Sequence, residues 1–263
     1  MLPIRIIKGS LLMKSTATLL AALITVSLSG CIINVNGANA GPLNHQKKQL
    51  QIDANDIDTL VAETGAGDLK IQGVDGLAQI MVTADIYTYG DIESNLSLKQ
   101  SGSKATLVAE FDSSINFQRS PYIDLTIQVP SSMMLDIDDG SGDIEINGLS
   151  ANITLDDGSG DVWIKGGNDL NIQDGSGSID ISNTTGKLTL EDGSGSITLS
   201  GIGGDTHIDD GSGDLSVENV NGHVVIDDGS GDIDVDNTLG LSIIESGSGD
   251  LSVDNINGSV SMH

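Results

Sequence analysis

The triplet Gly-Ser-Gly recurs seven times in the second half of the chain, starting at Gly140, Gly158, Gly175, Gly193, Gly211, Gly229 and Gly247. The spacings are 18, 17, 18, 18, 18 and 18 residues. So regular a period, with no helix-length segment inside it, restricts the chain to a solenoid in which each repeat is one coil and neighbouring coils bury each other's apolar faces. Numbered from the first glycine of a triplet, apolar residues fall at positions 5, 7, 10, 14 and 16, which in the first coil are Ile144, Ile146, Leu149, Ile153 and Leu155. Alternation with period two means short strands with one face inward. Each coil thus has two strands, one corner at Gly-Ser-Gly and a second near Asn-Gly, and stacking sets like residues about 4.8 Å apart. Over seven coils the inward positions offer about 30 aliphatic side chains, each contributing roughly 2 kcal/mol when fully buried.

Composition agrees with an aliphatic core, since 38% of the 263 residues are hydrophobic while aromatics make up only 2%. The 34 glycines and the net charge of −27 suit a disordered chain, but such chains lack β-branched residues in strict register. Residues 135–263 therefore read as a regular solenoid. Upstream, residues 50–134 hold strand-like segments such as LVAETGAGDLKIQG, LAQIMVTADIYTY, ATLVAEF and YIDLTIQVP, together with all three Tyr and both Phe. Larger, irregular N-terminal coils that plug the solenoid are expected there, giving about 10 to 11 coils over roughly 50 Å. The stretch IINVNGANAGPLNHQKKQ at 32–49 is polar, without apolar period, and reads as a tether.

The single cysteine follows a secretory layout. In KSTATLLAALITVSLSGC at 14–31, a Lys precedes an apolar run from Leu19 to Leu28, and small residues stand directly before Cys31. The segment is too short for a membrane span. Leu28-Ser29-Gly30-Cys31 resembles the bacterial lipobox, which implies a signal peptide at 1–30, lipidation of Cys31, and a membrane anchor through its acyl chains. Ile32 stands where the resembling lipoproteins carry an inner-membrane retention aspartate, which points to the outer membrane of a bacterial envelope. Met13-Lys14 begins this layout better than Met1 does.

Residues 1–31 hold Arg5, Lys8 and Lys14 and no acid, so the remainder carries a charge of −30. Such a field repels nucleic acid and anionic head groups. In the corners the glycines supply φ > 0 and the flanking Asp side chains accept hydrogen bonds from the turn's own N–H groups. Stacked carboxylates would still repel, by about 0.8 kcal/mol per pair at ~5 Å in water. A cation would relieve this, and Asp210, Asp214, Asp228, Asp232 and Asp250 are the calcium candidates. The calcium-binding nonapeptide rolls also have 18-residue turns, but their G-G-x-G-x-D-x-U-x pattern differs from this one, and Ser178 and Ser196 interrupt the Asp series. No metal or other cofactor is assigned.

Enzymatic chemistry finds little support. GIGGD at 201–205 is followed by no helix N-terminus to hold a phosphate. His207 and His223 lie on outward positions of adjacent coils without a third ligand for zinc and read as solvated surface, as do His45 and His263. Paired carboxylates need a walled cleft for acid–base work on a sugar, and every connection after 140 is only a few residues long. Three binding surfaces stand out instead. Trp163, the only tryptophan, lies at outward position 6 beside Lys165, where it either stacks on a sugar or anchors a protein contact, or else packs on neighbouring surface side chains. In the sixth coil, TLGLSII either places Leu241 and Ile243 outward beside Val225 as an apolar patch, or slips by one residue and buries them in place of Ser242. The last coil, ending Val260-Ser261-Met262-His263, offers strand edges for end-to-end self-association.

IDLTIQVPSSMMLDIDDGSGDIEINGLSANITLDDGSGDVWI at 123–164, a Val-Pro followed by Gly-Ser-Gly-Asp repeats, resembles the bacterial "putative adhesin" β-strand-repeat domain of unknown function, over roughly 50–263. The resemblance implies an all-β, single-stranded right-handed parallel β-helix in an envelope or secreted protein, with no catalytic residues to carry over. The expected function is a non-catalytic binding or scaffold module contacting protein or glycan, or alternatively an envelope-stress or regulatory component acting through a partner protein.

Overall fold

The computed structural model describes residues 33–35, 43–89, 92–112 and 120–262. Every regular element among them is a β-strand. The N-terminal part contains β1 (Ile33–Val35), β2 (Leu43–Asp53), β3 (Thr59–Ala66), β4 (Leu69–Val74), β5 (Gln79–Tyr89), β6 (Ser94–Ser101), β7 (Lys104–Phe111) and β8 (Tyr122–Pro130). The repeats supply β9 (Met134–Ser141), β10 (Ile144–Leu149), β11 (Ile153–Asp157), β12 (Val162–Gly166), β13 (Leu170–Asp174), β14 (Ile179–Thr184) and β15 (Leu188–Asp192). They continue through β16 (Ile197–Ile202), β17 (Thr206–Asp210), β18 (Leu215–Asp228), β19 (Ile233–Ser246), β20 (Leu251–Ile256) and β21 (Val260–Met262).

From β9 onward the chain is a β-solenoid of about seven stacked turns. Even-numbered strands stack in parallel from β10 to β16 and on through the first half of β18, while β9, β11, β13, β15 and β17 form the other wall and end on its second half. Partners lie one repeat apart, as in Ile179↔Ile197 and Leu188↔Thr206. Alternation turns Ile144, Val162, Ile179, Ile197, Leu215 and Ile233 into one buried column, each at most 2% exposed. Mostly aliphatic columns, interrupted by the buried Thr184, Thr206 and Thr238, fill the neighbouring inward positions, so a single core runs the length of the stack.

Two corner positions admit few residue types. At the third residue of the triplet the backbone of one coil lies directly on that of the next: a Cβ on Gly195 or Gly213 would stand 1.6 Å from the carbonyl oxygen of the glycine one coil before, and φ there is 149° and 153°. At position 9, the second corner, φ lies between 54° and 99° and the occupant is Gly148, Gly166, Asn183, Gly201, Asn219, Asn237 or Asn255. Only glycine and, less readily, asparagine settle in this left-handed region. The 17-residue repeat drops its residue at the same corner, where Gly166 and Gly167 both take positive φ and the ladder bulges between Asn147 and Leu149.

The sixth coil takes the slipped register. Val224 pairs with Leu241, Val225 with Ser242 and Ile226 with Ile243, with irregularities on either side of this run. Leu241 is 0% and Ile243 2% exposed, so the outward apolar patch of the alternative reading does not form. Burying Leu241 rather than Ser242 adds one aliphatic side chain to the core, worth about 2 kcal/mol, and the extra residue is looped out at Ile244, which is 43% exposed.

The region before the repeats also departs from expectation. β3 and β4 do form a coil on β9 and β10, with Leu60 over Leu135 and Ile71 over Ile146, and β7 and β8 lie parallel on β3 and β4. Beyond them, however, β5 runs antiparallel to β8, β2 antiparallel to β5, and β6 and β7 form an antiparallel hairpin. These are not irregular coils. The expected tether is correspondingly shorter, because β2 begins at Leu43 and β1 pairs with it. The signal segment, Cys31 and His263 lie outside the described residues.

The corner geometry is testable. Gly213→Ala drives a methyl group into the backbone of the adjacent coil and should destabilise by more than about 4 kcal/mol in urea denaturation. Gly76→Ala, where a Cβ meets nothing within 4 Å but φ is 71°, should cost only about 1–2 kcal/mol.

Candidate functional site

The outer face of the wall built by β10, β12 and β14 carries the one large aromatic side chain of the repeats. The ladder sets Trp163 between Glu145 and Asp180, and Lys165 between Asn147 and Ser182. All six point outward because their neighbours Ile144, Ile146, Val162, Ile164, Ile179 and Ile181 occupy the inward positions. Together with Ile164 they line a shallow depression of about 380 Å³. Trp163 is 41% exposed within it. The Asn147 side-chain amide donates to Glu145 Oε1 at 2.8 Å, which orients one wall. An apolar plate is thereby surrounded by two carboxylates, an amide, an ammonium and a hydroxyl. Such a set offers donors and acceptors around an aromatic body, the combination that serves a polar, partly apolar ligand such as a glycan or a protein loop.

Of the residues singled out in the sequence, Trp163 and Lys165 are brought together, and Val225 sits on the outer face of β18 between His207 and Ser242. Leu241 and Ile243 are core residues. His223 is not merely solvated: its Nε2 lies 3.0 Å from Ser242 Oγ, which in turn lies 2.8 Å from Ser261 Oγ. In the last coil Leu251, Val260 and Met262 are 41%, 47% and 52% exposed.

The calcium candidates separate into two different columns. At position 4 the carboxylates bind the backbone of the following coil: Asp214 Oδ1 accepts the N–H of Asp232 at 3.2 Å, and Asp232 Oδ1 that of Asp250 at 2.8 Å. The same bridge joins Asp143 to Asp161 N–H and Asp161 to Ser178 N–H, at 3.2 and 2.8 Å. These acids are acceptors that tie coil to coil. Asp210 and Asp228 instead belong to the inward position just before each triplet, where they are 2% and 0% exposed. Among the described residues no three His, Cys, Asp or Glu side chains converge as a metal site.

Two features were not foreseen. The first is the inward run of Asp139, Asp157, Asp174, Asp192, Asp210 and Asp228, all at most 6% exposed. The signal was present: the alternation that puts Ile153 and Leu155 inside puts Asp157 inside as well. The second lies on the antiparallel cap, where His45, Tyr87 and Tyr122 stack across β2, β5 and β8 with ring centroids 4.6 Å apart at each step. His45 Nε2 also lies 2.7 Å from Asp85 Oδ1, and Lys47 donates to Asp85 Oδ2 at 3.1 Å. Burial tends to raise the Asp85 carboxyl, but the hydrogen bonds from His45 and Lys47 outweigh it and hold the group below its usual range.

Comparison with known proteins finds a family match over part of this chain and low-identity likenesses among solved structures. Residues 165–262 match the Toastrack DUF4097 family, a domain of unknown function. No curated protein matches. Among solved structures, a "putative adhesin" from Parabacteroides distasonis is 14% identical, with a TM-score of 0.47, over 82% of this chain and 97% of that one. A "putative lipid binding protein" from the same organism is 16% identical at a TM-score of 0.44, over 87% and 99% of the two chains. A "putative cell adhesion protein" from Clostridium sporogenes is 12% identical at 0.37, over 83% and 98%.

If the position-4 acids act as acceptors, charge is secondary to shape. Asp161→Ala should lower stability by about 1 kcal/mol in urea denaturation, and Asp161→Asn, which keeps an oxygen for Ser178 N–H, by much less.

Proposed function

We propose that this protein is a non-catalytic binding or scaffold module of the bacterial envelope, which presents the depression around Trp163 to a protein or glycan ligand. The observation that carries this reading is the break at Trp163 in an outer column otherwise held by Glu145, Asp180, Thr198, Ser216 and Asp234. An exposed tryptophan ringed by Glu145, Asn147, Lys165, Asp180 and Ser182 has the composition of a contact hot spot. The rigid stack behind it supports the same reading, since a preorganised face loses little conformational freedom on binding. The lipobox-like stretch ending at Cys31 supports anchoring in the outer membrane, and the exposed Leu251, Val260 and Met262 support end-to-end contact between copies.

Because Trp163 is the only tryptophan, its fluorescence reports directly on the depression. Titration with envelope or surface glycans, and with partners captured by a photocrosslinker at position 163 in living cells, should change that emission. Trp163→Ala should weaken binding at least about tenfold while leaving stability within about 1 kcal/mol. Binding unchanged in that variant would place the ligand elsewhere. Capture of external ligand fits an adhesin-like module, whereas capture of an envelope protein alone fits the regulatory alternative. Anchoring is read separately: labelled fatty acid should enter the wild-type chain and not Cys31→Ser, and equal labelling of the two would remove the lipoprotein reading.

A further inference from the structure

Six aspartates line up inside the solenoid, one per coil, in the register Asp139↔Asp157↔Asp174↔Asp192↔Asp210↔Asp228. The column is bounded by hydroxyl residues, Thr64 before Asp139 and Ser246 after Asp228. Each carboxyl has one satisfied oxygen. Oδ1 of Asp157, Asp174, Asp192, Asp210 and Asp228 accepts the N–H of the serine two residues on, at 3.3, 3.2, 3.1, 3.1 and 3.1 Å. Asp139 Oδ1 accepts from Thr64 Oγ1. In all six the second oxygen, Oδ2, is sealed from solvent and has no partner.

An ionised column would bury six adjacent negative charges about 4.8 Å apart, each with an acceptor that nothing fills. Among the described residues no Lys, Arg or His acts on them. On the outer face of the same strands stand Asp138, Asp156, Glu191, Asp209 and Asp227, with Glu63 opposite Asp138. Past the Gly-Ser-Gly corner come Asp143, Asp161, Asp214 and Asp232, and the strands that follow open on the apolar column of Ile144 to Ile233. A proton on Oδ2 resolves both problems, because it removes the charge and turns the orphaned acceptor into a donor toward the next carboxyl.

We propose that this column is a proton-binding line: its aspartates hold and share protons in mildly acidic solution, and the folded stack is secured by protons that the unfolded chain releases. Burial, reinforced by the neighbouring carboxylates, pushes Asp157 and Asp210 up to about 7. Burial likewise lifts Asp139 and Asp192 to about 6, and moves Asp174 and Asp228 in the same direction. The unfolded chain loses these protons near pH 3.9. From there to about pH 7 the native state binds more protons than the unfolded one, so stability is greatest in acid, declines across that window and levels off once pH has risen past about 7. A surface groove of about 420 Å³, lined by Asp156, Gln173, Glu191 and Asp209 as well as by Asp157, Asp174 and Asp192, runs beside the column. The first part to loosen is the corner, where Gly158, Gly175, Gly193 and Gly211 donate their N–H groups to the carbonyls of Asp139, Asp157, Asp174 and Asp192.

The test uses the full chain after leader removal, melted at pH 5 and at pH 8. The wild type should lose at least about 5 °C in Tm between the two, and its corner amides should exchange faster at pH 8 than intrinsic base catalysis explains. Asp192→Asn, and the triple variant Asp157→Asn/Asp192→Asn/Asp210→Asn, supply an uncharged donor at Oδ2 and should flatten that slope. Asp156→Asn/Asp209→Asn on the outer face should keep it, which separates the column from general surface repulsion. Should the asparagine variants fail to fold, carbon-13 titration of the wild-type aspartates decides: six carboxyls titrating near pH 4 would overturn the proposal. So would a wild-type Tm that does not change with pH, or a rise at pH 8 on adding calcium that the triple variant lacks, which would give the column to a metal.

Discussion

The contact of backbone on backbone at the glycine corner governs everything else in this molecule. With the second glycine of each triplet seated against the carbonyl of the one before, adjacent coils have no freedom to shift along their strands. A side chain of any size would wedge the coils apart and break the ladder on both sides. The close seat also aligns the corner hydrogen bonds, such as Gly195 N–H to Ser212 and Gly213 N–H to Ser230, both 2.9 Å. Register thus comes from the corners, and the aliphatic strands then only have to fill the space that the corners define.

Fixed register converts a sequence repeat into columns, and a column amplifies whatever chemistry its position carries. Aliphatic columns become a continuous core. Acids at position 4 become a chain of acceptors, each reaching the next backbone N–H, which explains their recurrence without a bound ion. Acids one residue before the triplet face inward, and there the same repetition stacks buried carboxyls with unfilled oxygens. The two Asp residues of each GSGD corner differ little in sequence and completely in environment. What separates them is the Gly-Ser-Gly corner itself: the acid before it closes one strand at an inward position, and the acid after it stands directly before the inward first residue of the next strand.

Strand parity explains why much of the fold was legible and some of the chemistry was not. Period-two runs such as Ile144, Ile146 and Ile179, Ile181 can be satisfied in only one way once the repeat length is known. Leu241 and Ile243 were ambiguous because TLGLSII presents apolar residues on both parities, and only the looping-out of Ile244 decides between them. Asp157 does flank a turn and accepts the Ser159 N–H, as its polarity suggests, while alternation also carries it inward, which polarity alone conceals. The antiparallel cap had no comparable signal. His45, Tyr87 and Tyr122 come from strands separated by about 35 to 40 residues, and nothing periodic relates them.

In a stack of near-identical coils, specificity has to come from the places where a column is interrupted. A surface that repeats every coil binds the same way at every level and so has no preferred site, whereas a single departure creates a position. Trp163 is such a departure: Glu145, Asp180 and Thr198 mark the column it interrupts, all short or acidic side chains. Lys165 interrupts the adjacent column of Asn147, Ser182 and Ser200 in the same coil, placing one of the few cations of an acidic molecule next to its one tryptophan. Two coincident breaks on one strand lack a structural explanation, because outward positions tolerate almost any residue and neither side chain supports the core. The ligand contact proposed above accounts for both at once.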